Sequence, residues 1–318
     1  MFNFIRLLLM LCLGSFLHAN APKKIAYIAS DMSIPYWQIL SRGIQNASNT
    51  LNYTLTTYNA QNDPKQELEG VIAAINSNVD AIIISPTTSL ACATALRLAK
   101  QANIPVVIAD IGTDAGEYLS YISSNNKQGA YDIALVLIEK MQALNITQGS
   151  VGIIAIPQKR LNGQARTQGF MQALNQAKIK GADIKQQVDF SRQETYALTK
   201  ELIQNNENLK AIWLQGSDKY EGALQAIYEA GKEEEILLVT FDAEPIFLEL
   251  IPQGVLVGAA MQQPFLMGEE AVLALDAHFN GKDVIKNIQL PILAVSQSNI
   301  QTLLPLIQRN VLGIKTNP

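Results

Sequence analysis

Histidine and cysteine are the usual sources of nucleophilic and metal chemistry, and the 318-residue sequence has two of each: His18, His278, Cys12 and Cys92. His18 and Cys12 fall in an amino-terminal leader, which leaves Cys92 and His278. A lone cysteine allows no intramolecular disulfide, and one histidine far from it supplies neither a zinc ligand set nor a Cys–His pair. The setting of His278, AVLALDAHFNGK, reads as a surface position at the end of an amphipathic helix closed by Gly281. A Ser-His-Asp triad would have to use that helix end. Chemistry therefore falls to carboxylates, amides, arginine and aromatics, which collect where apolar runs stop. These places are Asp31 to Trp37, Pro86 to Ser89, Asp110, Pro157 to Arg166, Phe190, Gln215 to Asp218, Asp242 and Gln262. Two acids such as Asp110 and Asp242 could act as a glycosidase pair, which needs carboxyls about 5–10 Å apart. They serve as well as plain hydrogen-bond acceptors. No enzymatic function and no cofactor are expected.

The elements that position these residues alternate. KKIAYIAS, YTLTTYNA, VDAIIIS and IPVVIAD read as strands, with helices from Tyr36 to Thr50, from Asp63-Pro64 to Asn78 and from Ser89 to Ala102 between them. A second series follows YLSYISSNN. Its strands are SVGIIAI, IKQQVDF, LKAIWLQ, ILLVTFD and VLVGAAM, with helices near Gln128–Leu144, Gly163–Ala177, Gln193–Asn205, Tyr220–Ala230 and Phe265–Phe279. Strand–helix alternation at this spacing implies right-handed crossovers and parallel sheets. The expected fold is α/β, with two Rossmann-like, doubly wound parallel-sheet lobes joined by a hinge. In open parallel sheets, ligands lie beyond the carboxyl ends of the strands. Two lobes with those edges facing would bring the residues above into one cleft.

Composition sets the outer limits. Hydrophobic residues are 48% and charged residues 16%, enough for a sizeable core, and the net charge of -4 comes without a basic stripe. Nucleic acid is not an expected partner. Residues 1–21 read as a cleaved signal peptide: Arg6, the apolar run Leu7 to Leu17, and the small-x-small site Ala19-Asn20-Ala21. The apolar run is too short to cross about 30 Å of hydrocarbon, and no stretch of about 18 apolar residues follows. Leu11 before Cys12 argues against lipidation. A periplasmic location is the expectation.

Several stretches resemble the type I periplasmic binding proteins of the ribose-binding kind. They are IPYWQILSRGIQNA, ISPTTSLACATALRLAKQANIPVVIAD, ISSNNKQGA, ARTQGF, LQGSDKYEGALQAIYEAGK and LLVTFDAEP, in that order, and the likeness runs from about Lys24 to Val295. The resemblance implies lobe 1 at 22–124 plus 263–291 and lobe 2 at 125–262 plus 292–318. It implies that Tyr36 and Trp37 sandwich a sugar ring, whose C–H faces stack on aromatic planes, with Phe190 stacking from the other lobe. Asp110 and Asp242 would accept hydrogen bonds from ligand hydroxyls. Gln262, Asp218 and one of Gln164 and Arg166 complete the implied set, and the family expectation is a monomer.

The departures bear on the ligand. Asp110-Ile111 stands where ribose binders carry Asp-Arg, Ile34 and Gly216 replace asparagines, and Gln164 replaces an arginine. Losing that arginine fork removes five donors. The expected ligand is a small polar molecule: a less hydroxylated sugar, a polyol, or a small cationic solute held by the acids and rings. Two partners are open, an ABC permease that imports the ligand and a membrane sensor kinase that reads the closed protein. The fold also builds the regulatory domain of LacI-type repressors, but here the leader stands where a DNA-binding helix-turn-helix would be.

Overall fold

The computed structural model describes residues 21–217 and 219–314. Residues 1–20 of the expected signal peptide, and the candidate Asp218, lie outside the described residues. The chain opens with β1 (Lys24–Ala29), α1 (Pro35–Thr50), β2 (Thr54–Asn59), α2 (Pro64–Asn76) and β3 (Ala81–Ile84). Next come α3 (Ser89–Gln101), β4 (Val106–Ala109), β5 (Ser120–Ser124), α4 (Asn126–Ala143) and β6 (Ser150–Ala155). They are followed by α5 (Leu161–Gln176), β7 (Lys180–Gln186), α6 (Arg192–Asn205), β8 (Leu209–Leu214) and α7 (Tyr220–Glu229). The remainder is β9 (Leu237–Phe241), α8 (Phe247–Leu250), β10 (Gly258–Met261), α9 (Pro264–Phe279), β11 (Asn287–Leu290), β12 (Leu293–Ser296) and α10 (Ile300–Leu306). A π-helical turn, Ile307–Val311, follows α10.

These strands form two six-stranded sheets, ordered β11-β5-β4-β3-β1-β2 and β12-β10-β9-β8-β6-β7. The first is parallel throughout. Its central strands are continuous buried runs because helices cover both faces. Ile25 and Tyr27 of β1 point to a core shared with α1 and α9, while Ala26 and Ile28 point to one shared with α2 and α3. The second sheet is packed the same way, and a stacked Phe170–Trp213 pair with centroids 3.9 Å apart sits in one of its cores.

One edge departs from the all-parallel expectation, since β12 runs antiparallel to β10. The cause is connectivity. β11 ends at the carboxyl edge of the first sheet, and after two linking residues β12 starts in the second. A link that short spans only about 10 Å, so β12 enters the second sheet from its carboxyl edge and runs against its neighbours. The same link brings the two carboxyl edges together. The chain also passes between the sheets at 125 and at 262–263, again beyond strand carboxyl ends.

Local chemistry sets the helix starts. Side chains of Asp63, Thr88, Asn125 and Ser191 accept the backbone N–H of Lys65, Ala91, Gln128 and Glu194 as N-caps. In α1 a Cβ on Gly43 would lie 2.1 Å from the Phe265 carbonyl oxygen, so glycine permits the contact between α1 and α9. The strand expected at IKQQVDF sits four residues earlier, as β7. Glu194 at the start of α6 gathers the N–H groups of Val188, Asp189 and Phe190, which takes those residues out of the ladder. After α10, which contains Pro305, the tail returns to the helices on the first sheet. Arg309 meets Glu269 of α9 at 2.5 Å, and Arg42 of α1 donates to the Leu312 carbonyl at 2.7 Å.

Candidate functional site

Two carboxylates leave the centres of the two sheets in the same way. Asp110 is the first residue past β4 and Asp242 the first past β9; both have left-handed backbone, with φ of 72° and 66°. Aspartate is among the few residue types that tolerate this conformation. The turn lifts each carboxyl off its strand end and into the space between the carboxyl edges.

A polar cluster forms around them. From the first sheet's side, the Tyr36 hydroxyl donates to Asp110 Oδ1 at 3.0 Å. From the second, Asn162 Nδ2 donates to Asp110 Oδ2 at 3.4 Å, so Asp110 is bonded across the gap. Arg166 Nη1 lies 3.6 Å from Asp242 Oδ2. The same guanidinium donates to Asn126 Oδ1 at 2.8 Å and to the Gln215 carbonyl at 2.7 Å, and stacks 3.8 Å over the Phe241 ring. Gln262 Nε2 donates to Asp242 Oδ1 at 2.6 Å, while its Oε1 is buried and meets no donor.

Burial pushes the Asp110 carboxyl above the usual aspartate range, with the fields of Arg166 and Arg160 and the Tyr36 hydrogen bond pulling the other way. The Tyr36 hydroxyl is pushed well up, first by burial and then by the charges of Asp110 and Asp242. The site has two carboxylates and a buried guanidinium, arranged to accept and donate hydrogen bonds to something polar.

The sequence candidates divide in the folded chain. Tyr36, Asp110, Arg166, Asp242 and Gln262 come together. Trp37 does not open onto the gap with Tyr36: it is 6% exposed in the first sheet's core and meets the Tyr36 ring edge-on at 4.8 Å. Neighbouring helix residues point about 100° apart, so one aromatic faces the edge and the other the core. Of the pair Gln164 and Arg166, only Arg166 turns inward. Gln164 is exposed and bonds the Gln158 carbonyl, because residues two apart on a helix do not share a face. Ile111, in place of the expected arginine, is buried in the first core. Phe190 is half-buried, with φ of 56°, and its ring carries the Arg160 guanidinium at 5.5 Å.

Four further polar residues belong to the site or its rim: Asn126, Arg160, Asn162 and Gln215. Each lies within a segment legible in the sequence, but the segment does not say which side chain turns in. Arg160, the N-cap residue of α5, crosses to the first sheet. Its Nε donates to the Thr87 carbonyl at 3.2 Å and its Nη2 to Asn62 Oδ1 at 2.7 Å. Beside it lies a cavity of about 170 Å³, bordered by Asn62 and Thr88 on one side and Lys159 and Val188 on the other.

Two sheets with facing carboxyl edges, a polar cluster between them and three short connections define a two-lobed α/β binding protein. The chain belongs to the periplasmic binding protein domain family, whose model matches residues 25–283. It is 30% identical to the ribose import binding protein RbsB of Escherichia coli over 278 residues, covering 86% of this chain and 90% of that protein. The protein of the same name from Haemophilus influenzae is 28% identical over 283 residues, 88% of this chain and 93% of the relative. Among solved structures, a carbohydrate transporter solute binding protein from Agrobacterium radiobacter in complex with D-arabinose superposes with a TM-score of 0.84. The alignment covers 92% of this chain and 99% of that one at 23% identity, a likeness of fold. The Caulobacter myo-inositol binding protein gives a TM-score of 0.81 at 19% identity, covering 89% and 97%. The relatives named here are binding proteins, not enzymes.

Proposed function

We propose that this protein captures a neutral sugar or polyol between its two lobes in the periplasm, after its leader is removed, and delivers it as a monomer to an ABC importer. The observation that carries the reading is the cluster in which Asp110, bonded by Tyr36 of its own lobe, accepts Asn162 from the other lobe, where Arg166 and Gln262 stand against Asp242. We take the lobes as 22–124 with 263–291 and 125–262 with 292–318, in keeping with the distribution of strands between the sheets.

The donor and acceptor balance favours hydroxyl groups. Two carboxylates and the buried Gln262 Oε1 are acceptors, so the ligand must bring donors. Arg166 already stands beside Asp242, and a cationic solute would compete with it for that carboxylate. A neutral polyhydroxyl compound therefore fits better than a small amine. The relatives that carry import in their names favour delivery to a permease over signalling to a sensor kinase.

The test is a thermal-shift panel of D-ribose, D-allose, L-arabinose, myo-inositol and small quaternary amines. A concentration-dependent rise in Tm with one or more of the sugars or the polyol, and none with the amines, is expected. A rise with amines alone would overturn the ligand class.

A further inference from the structure

Arg160 stands at the rim of the ligand cluster, is 8% exposed, and hydrogen-bonds the opposite lobe. Both of its partners sit where strands of the first sheet end. Asn62 follows β2 in a tight turn in which Gln61 and Asn62 both have left-handed backbone, φ 51° and 57°. Thr87 follows β3. Its N–H is taken by Glu67 Oε2 at 2.5 Å, and Glu67 is fully buried on α2, with Oε1 meeting no donor.

We propose that Arg160 is a positioning residue for lobe closure, gripping the Thr87 backbone against the buried Glu67 so that a guanidinium and a carboxylate of opposite lobes act on the two polar ends of one residue. The Glu67 carboxylate polarises Thr87 from one side and the Arg160 guanidinium from the other, and charge-assisted hydrogen bonds are about twice as strong as neutral ones. Asn62 adds a second anchor on the same lobe. The Phe190 ring under the guanidinium keeps it from swinging out to solvent. When the lobes part, the two Arg160 bonds to Thr87 and Asn62 break together, so Arg160 sets how readily the cleft opens. None of this depends on what the cleft holds.

Small-angle scattering of the mature protein without added solute reads the ratio of closed to open forms, with the arrangement in which Arg160 reaches Thr87 and Asn62 as the closed reference. Arg160→Ala is expected to lower that ratio about tenfold, with far-ultraviolet circular dichroism unchanged. Asn62→Ala, which removes one anchor from the other lobe, is expected to shift it less in the same direction and serves if Arg160→Ala does not fold. Glu67→Gln is expected to lower the ratio in the parent protein and to have no further effect in the Arg160→Ala background. Identical scattering from the parent and Arg160→Ala overturns the proposal, and strictly additive effects of the Arg160 and Glu67 changes overturn the link through Thr87.

Discussion

Asp110 and Asp242 occupy equivalent places in the two sheets: each follows a central strand, each has positive φ, and each donates its N–H to the neighbouring strand at 2.9 Å. The acceptors are the Ile122 and Ala260 carbonyls. The ladder bond fixes the backbone, and the left-handed turn then aims the carboxyl past the sheet edge. Asparagine tolerates the same turn, so the charge can be removed without disturbing the chain.

Asp110→Asn and Asp242→Asn should each weaken binding of the sugar that the thermal-shift panel identifies. A hydrogen bond to a charged group is worth roughly 1.5–3 kcal/mol, so affinity should fall about 10- to 100-fold in isothermal titration. Stability should not follow affinity for Asp110→Asn, because burial disfavours the charged carboxyl there. Its Tm without ligand at pH 8 is expected to match or exceed the parent's.

Arg166 holds the second lobe's side of the site. Its guanidinium is 3% exposed and bonds Asn126 and the Gln215 carbonyl beside Asp242. Arg166→Met should cost about 3–5 kcal/mol in urea unfolding, the range for breaking a buried pair and leaving the partner charge uncompensated. Arg166→Lys should also lose stability, since an ammonium cannot reproduce the planar fork.

The Tyr36 hydroxyl is a donor to Asp110. Tyr36→Phe leaves a buried carboxyl oxygen without that bond, for a loss of about 1–3 kcal/mol in the same measurement. The ring is kept, so the aromatic edge contact with Trp37 persists.

Glu67 predicts a pH dependence. Burial raises its pKa above the ordinary 4.5, against the opposing pull of the Thr87 N–H and Arg160. A carboxyl whose folded pKa is raised contributes stability below its unfolded pKa and loses it as pH rises through the folded one. The parent should therefore lose this contribution as pH climbs above about 4.5, and Glu67→Gln, which does not titrate, should not. Urea unfolding from pH 4 to 8 should show the stability difference moving in favour of Glu67→Gln as pH rises. A constant difference would contradict the assignment.

Close packing of α1 on α9 supplies a check that is independent of charge. Gly43→Ala places a methyl 2.1 Å from the Phe265 carbonyl oxygen. Overpacking of this kind costs about 1–3 kcal/mol or more, and a lowered Tm is the expected reading.

Strand and helix alternation was legible in the sequence because buried parallel strands are continuous apolar runs and the helices between them carry a regular apolar face. β1, β3, β4 and β9 stand close to where their apolar runs place them. The short edge strands β11 and β12 were not legible, since four-residue segments such as NIQL and LAVS carry little periodic signal and are defined by the partner they pair with. β7 moved for a similar reason: hydrogen bonds from Glu194, distant from the strand in pattern, decided where the ladder stops.

The sequence alone determined that chemistry would fall to acids, amides and aromatics at strand ends, because those residue types interrupt apolar runs only where the chain leaves a sheet. Tertiary structure alone decided which of them meet. Helix phase turned Tyr36 and Arg166 toward the shared edge and left Trp37 in the core and Gln164 in solvent. Only the approach of two sheets, imposed by a two-residue link between β11 and β12, could bring Arg160 to Thr87 and Asn162 to Asp110. Contacts between residues so far apart in sequence depend on how rigid lobes are placed relative to each other, and no local pattern encodes that placement.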